Sequence, residues 1–247
     1  MKVHFSAPTP RFGRVNSRLP LGHQHRSPYY WWWAYLRRNE AYLACCAGGG
    51  LGALATLYAD FGDVRDDDFH KWWTGGERGV CLFAEEPLAV RFGELDSPAD
   101  WRKGWHADEV MVVVVPLRVA KSTLNGLFAK LIDARHTGKQ GRPAMDLIDS
   151  TARYPLSSNY TISNLQTMQS VYDLWLENSR LNKSQQLVLW ELGRDLKLNK
   201  NAIKDAQSES SHDRLVGRNI LAATVSRYVR QAKAVIANTA LGKFPVH

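Results

Sequence analysis

Three cations recur at a spacing that suits one task. Arg227, Arg230 and Lys233 stand at i, i+3 and i+6 within "TVSRYVRQAK". At 100° per residue they fall on one arc of a helix, opposite Leu221, Val225, Tyr228, Val229, Ala232, Val235 and Ile236. Such a helix buries the apolar arc and turns the cations outward. Arginine and lysine there can neutralise phosphate, and neighbouring Ser and Gln can reach base edges. Arg218 is a secondary contact on the same segment. The plainer reading is a solvated helix face, because charge rows alone are unspecific.

A second basic candidate is "GKQGRPA", 138–144. It looks like a degraded AT-hook in which Gln140 replaces the first arginine; Lys139 and Arg142 would enter a narrow minor groove. The alternative is a loop with two incidental charges. A third basic candidate, the pair Arg37 and Arg38, lies at the end of the aromatic run "YYWWWAY".

The acidic run Asp60, Asp63, Asp66, Asp67 and Asp68, with Glu77 nearby, is a cluster of carboxylates of the kind that can hold Mg²⁺ or Ca²⁺. It lacks EF-hand spacing, since Arg65 takes the third position of a loop begun at Asp63, so N-caps and first-turn charges are the better account. His70 and His106 each have an acid nearby, Asp68 and Asp108, as a general base would. GxSxG, Walker A, HExxH and GxGxxG are all missing. The expectation is a non-enzymatic protein with no cofactor, no metal and no small-molecule substrate.

The elements that must hold these residues can be read from period and punctuation. The chain has 247 residues, a net charge of +8 and 45% hydrophobic residues, an ordinary globular mix. Its charge is uneven: +5 over 1–28, +1 over 29–59, −7 over 60–109 and +9 over 110–247. Three cysteines without CxxC spacing suit a reduced, cytoplasmic setting. Residues 41–59 are uncharged, but four glycines break them, so no membrane span is expected.

The fold class read from this is α+β: a tryptophan-rich helical segment with a small β-sheet, then a C-terminal helical domain resembling a helix-turn-helix. The boundaries are 1–28, a flexible basic arm; 29–136, the tryptophan-rich α+β domain; 137–161, linker loops; and 162–247, the helical domain. Ser27–Pro28 opens a helix running to about Ala47. "GVCLFA" and "LAVRFG" read as strands, and "EVMVVVVPL" as a central buried strand. Helices follow at 122–134, 163–177, 184–197, 202–207 and 218–238. Seven of nine tryptophans precede residue 110. Three in a row sweep about 200° of a helix, so Trp31–Trp33 cannot share one stacking face and belong to a core.

The segments "YYWWWAYLRRNEAYLACC", "LYADFGDVRDDDFHKWW" and "CLFAEEPL" resemble a group of uncharacterised proteobacterial proteins carried on integrative elements and prophages. "WWAYLRRN" is also similar to a short transcriptional-regulator-like domain. "STARYPL" and "VSRYVRQAKAVIANTALGKFP" resemble the same group. The resemblance implies a bacterial, intracellular, mobile-element setting and no catalytic residues. Three functions remain. The first is a nucleic-acid-binding protein, with DNA ahead of RNA as partner. The second is an anti-CRISPR-like inhibitor of a host nucleoprotein defence complex. The third is a metal-dependent nuclease using the Asp60–Asp68 run.

Overall fold

The structure, a computed structural model, describes residues 4–14, 16–85, 111, 113–135, 150–157 and 160–247. The chain is α+β and mostly helical. One compact unit joins Val3–Glu85 to Ser150–His247, and a second spans Glu86–Asp149.

In the first unit, strand β1 (His4–Phe5) pairs antiparallel with β4 (Ala84–Glu85), and β2 (Gly13–Arg14) pairs with β3 (Ser17–Arg18). Helices α1 (Pro28–Leu36), α2 (Glu40–Ala47), α3 (Ala55–Phe61), α4 (Phe69–Thr74) and α5 (Arg78–Phe83) build the aromatic side. After the second unit, which contains α6 (Lys121–Arg135), come α7 (Ile162–Arg180), α8 (Leu189–Asp195), α9 (Lys200–Ala206) and α10 (Ser211–Thr239).

The three tryptophans of α1 point to three sets of neighbours, and all are buried. Trp31 lies by His25 and donates to its carbonyl at 2.8 Å. Trp32 lies among Phe61, Phe83, Tyr154 and Phe244. Trp33 packs on Phe69 and Trp72. The same core includes Leu165, Met168 and Tyr172 of α7 and Ala232, Val235 and Ile236 of α10. The tryptophan-rich segment and the C-terminal helices therefore share one interior. Compact units divide at Glu85 and Ser150, rather than at the expected 136 and 162.

Other boundaries shift for local reasons. The single helix expected from Pro28 to Ala47 is two. Asn39 caps α2 by accepting from the Tyr42 amide, and its Nδ2 donates to the Ile236 carbonyl, which fixes the break. "GVCLFA" is helical except at Ala84: Gly79, Leu82 and Phe83 are buried at i, i+3 and i+4. A short apolar run reads equally as strand or buried helix. "LAVRFG", Trp101 and Trp105 lie outside the described residues, as does Val110. The described part of the expected central strand, Met111 and 113–117, takes no strand, and Val114 and Leu117 are 91% and 88% exposed. The arm expected to be flexible packs instead: Phe5 meets Tyr29 and Trp73, and Phe12 meets Phe69 and His70.

α10 is the spine of the helical half. It begins at Ser211, seven residues ahead of the expected Arg218, with the Ser210 hydroxyl accepting from the Asp213 amide. Gly217 lies inside this extension. A Cβ there would sit 2.4 Å from the Ala206 nitrogen and 2.6 Å from the Ala202 oxygen, so glycine lets α9 press against α10. Leu221 and Val225 carry the contact on to Gly193 of α8.

Candidate nucleic-acid interface

The burial stripe of α10 fixes what its other side presents. Leu221, Val225, Val229, Ala232, Val235 and Ile236 are buried, and Tyr228 is half-buried. Arg227, Arg230 and Lys233 are all exposed, on the outer side as their spacing required. Among the described residues, none of the three is ion-paired. From Arg214 to the C-terminus the sequence carries six basic residues and no acid. No intramolecular carboxylate therefore comes from their own helix beyond Asp213.

Aromatic rings flank the row. The Lys233 ammonium lies 4.0 Å from the Trp175 ring centroid, and the Arg227 guanidinium 5.3 Å from that of Tyr228. Such contacts hold long cationic stems in place while leaving the charge in water. Arg218, also exposed, lies over Trp190 at 4.5 Å, with Arg194 5.4 Å from the same ring.

Arg37 and Arg38 have different surroundings. The Arg38 Nε donates to Asp173 Oδ1 at 2.6 Å, Nη2 donates to Oδ2, and Nη1 donates to the Ala34 carbonyl. This fork ties α1 to α7. Arg37 is half-buried, lies 4.6 Å from the Trp33 ring centroid and donates to the Arg65 carbonyl at 3.3 Å. Burial lowers its basicity most, with the adjacent Arg38 charge adding to the effect. Lys139 and Arg142 lie outside the described residues.

The acidic run is dispersed over separate partners, one distant in sequence and the others local. Asp60 accepts from the Tyr154 hydroxyl at 2.6 Å and pairs with Arg153 at 2.7 Å. Asp63 pairs with Arg65, and Asp66 with Lys71. Asp68 caps α4 through the Lys71 amide. Among the described residues, no three His, Cys, Asp or Glu side chains gather as a metal set. His70 packs edge-on against Phe12 at 4.6 Å, and its neighbour Asp68 is the α4 cap. His106 and Asp108 are outside the described residues.

One carboxylate escaped the sequence reading. Glu85, 5% exposed, accepts from the Ser150 hydroxyl, the Thr151 amide and hydroxyl, and the Ala152 amide at 2.7–3.0 Å. Burial pushes its carboxyl up, but these donors outweigh burial and hold it below the ordinary glutamate range. Its partners lie 65–67 residues away, which no local spacing reveals.

Compared with protein-family models, with curated proteins and with solved structures, the chain matches none. No helix of the described residues is long and apolar enough to cross a membrane.

Proposed function

We propose that the protein is a non-enzymatic, nucleic-acid-binding protein of a bacterial mobile element, with DNA as the first partner, acting in regulation or DNA handling inside the cytoplasm. One observation carries this reading: Arg227, Arg230 and Lys233 form an exposed row on α10, and none is ion-paired among the described residues. The buried stripe on the reverse side holds the helix still. Its cations are thus presented from a rigid element, and phosphate neutralisation supplies most of the affinity. Arg218 extends the contact along the helix.

Fluorescence anisotropy with a labelled mixed-sequence DNA duplex at low salt tests it. The double variant R227Q/R230Q should lose roughly tenfold or more in affinity while keeping its circular dichroism spectrum. Unchanged affinity for both a DNA and an RNA duplex removes the assignment.

A further inference from the structure

The first acid of the chain is Glu40; before it stand seven basic residues. Among them, Arg14 and Arg18 lie in the folded β2–β3 hairpin, with Gly13 opposite Arg18 and Arg14 opposite Ser17, and Arg11 stands two residues before β2. The Leu19 amide donates to the Phe12 carbonyl at 2.9 Å and extends the ladder by one rung. Gly13 holds φ at +84°, and a Cβ there would lie 2.4 Å from the Ser17 oxygen, so the tight shape is specified by a residue only glycine can fill.

A lone two-stranded hairpin is marginal in water. This one is anchored: Phe12 rests on Phe69 and His70 with ring centroids 5.9 Å and 4.6 Å away. Arg11, Arg14, Asn16, Ser17 and Arg18 are exposed. Among the described residues, none of the three arginines is ion-paired, whereas Arg38, Arg65, Arg153 and Arg194 each hold a carboxylate. Among the described residues of 11–18, the exposed side chains are all polar, which a protein interface centred on apolar anchors would not favour. Guanidinium forks match phosphate oxygens in pairs, and two-stranded ribbons are established readers of duplex grooves.

We propose that the 11–18 hairpin is a second nucleic-acid contact, gripping the phosphate backbone of a duplex through Arg11, Arg14 and Arg18. This rests on the reading of the whole protein as nucleic-acid-binding, but it uses a surface separate in sequence from α10.

The test is a salt titration of the full chain on a labelled mixed-sequence DNA duplex. It compares wild type, R11Q/R14Q/R18Q, the charge-keeping R11K/R14K/R18K, and the α10 variant R227Q/R230Q. Near-UV circular dichroism checks the tryptophan core of each. Removing three phosphate contacts should flatten the log–log salt slope by roughly 2–3 and the lysine variant should restore it. If the triple variant loses the wild-type spectrum, R14Q alone at the hairpin should flatten the slope by about 1. A hairpin variant with the wild-type slope, beside an impaired α10 variant, overturns the hairpin and leaves α10 standing. An impaired hairpin variant beside an unaffected α10 variant supports the hairpin and removes α10. A wild type that binds no duplex at low salt overturns both.

Discussion

Arg38 and Arg230 are both arginines on helices of one compact unit, yet they are held in opposite ways. Arg38 sits on the aromatic side, where its guanidinium is forked onto Asp173 and its third donor goes to the Ala34 carbonyl. Arg65, Arg153 and Lys71 on that side are likewise paired with carboxylates. Arg230 stands exposed on α10, and among the described residues neither it nor Arg227 nor Lys233 is ion-paired. A cation satisfied inside the molecule serves the fold, and one left outward is available to a partner. The difference separates structural arginines from candidate binding ones more sharply than their sequence surroundings do.

The contrast can be broken from either side. The largest effect should come from the aromatic interior. Trp32→Ala removes a ring with no exposed surface and should cost about 3–5 kcal/mol in urea unfolding. A cost near zero would mean that the ring is not packed as described. Next is Gly217→Ala, whose methyl would meet the α9 backbone at 2.4 Å. Overpacking there should cost about 1–3 kcal/mol, read from the thermal midpoint, with the loss concentrated where α9 meets α10. Arg38→Gln should cost about 1–2 kcal/mol, a figure reduced for its partial exposure, and leave the salt slope of binding unchanged. A flattened slope in that variant would blur the distinction between the two kinds of arginine.

Glu85 supplies a pH-dependent prediction. Its folded carboxyl titrates below the unfolded value, so its contribution is fully present above the ordinary glutamate pKa of about 4.3 and is lost as pH falls through the folded value. Glu85→Gln should cost about 1–2 kcal/mol at neutral pH, with the gap to wild type narrowing on acidification. Urea midpoints at neutral and acid pH read this directly. A gap that widens at acid pH would reverse the assigned shift. Smallest of all, Arg227→Gln should leave the unfolding midpoint unchanged while weakening nucleic-acid binding.

How much the sequence disclosed differs between the same two regions. On α10 the apolar stripe recurs every three to four residues, so the buried arc and the opposite cations were both legible. Its first turns were not, because Gly217 and the polar residues around it look like loop until α9 is seen pressing on them. On the aromatic side the identity of the core was legible from Trp31–Trp33, but its partners were not. Phe5 and Phe12 stand alone among prolines and arginines, and nothing local shows that they fold back onto Trp73 and Phe69. Arg38 looks free in the sequence because Asp173 lies 135 residues on, and Arg37 because the Arg65 carbonyl it reaches lies 28 residues on. "CLFA" lacks the length to distinguish strand from helix, and α5 is fixed by the tertiary burial of Leu82 and Phe83.

The most direct test of the central claim is the salt dependence of duplex binding by wild type and by R227Q/R230Q/K233Q. Wild type should lose affinity steeply with salt, and the variant's slope should be flatter by roughly 2–3 at an unchanged unfolding midpoint. Equal slopes in the two proteins, or no duplex binding by wild type at low salt, would contradict the claim.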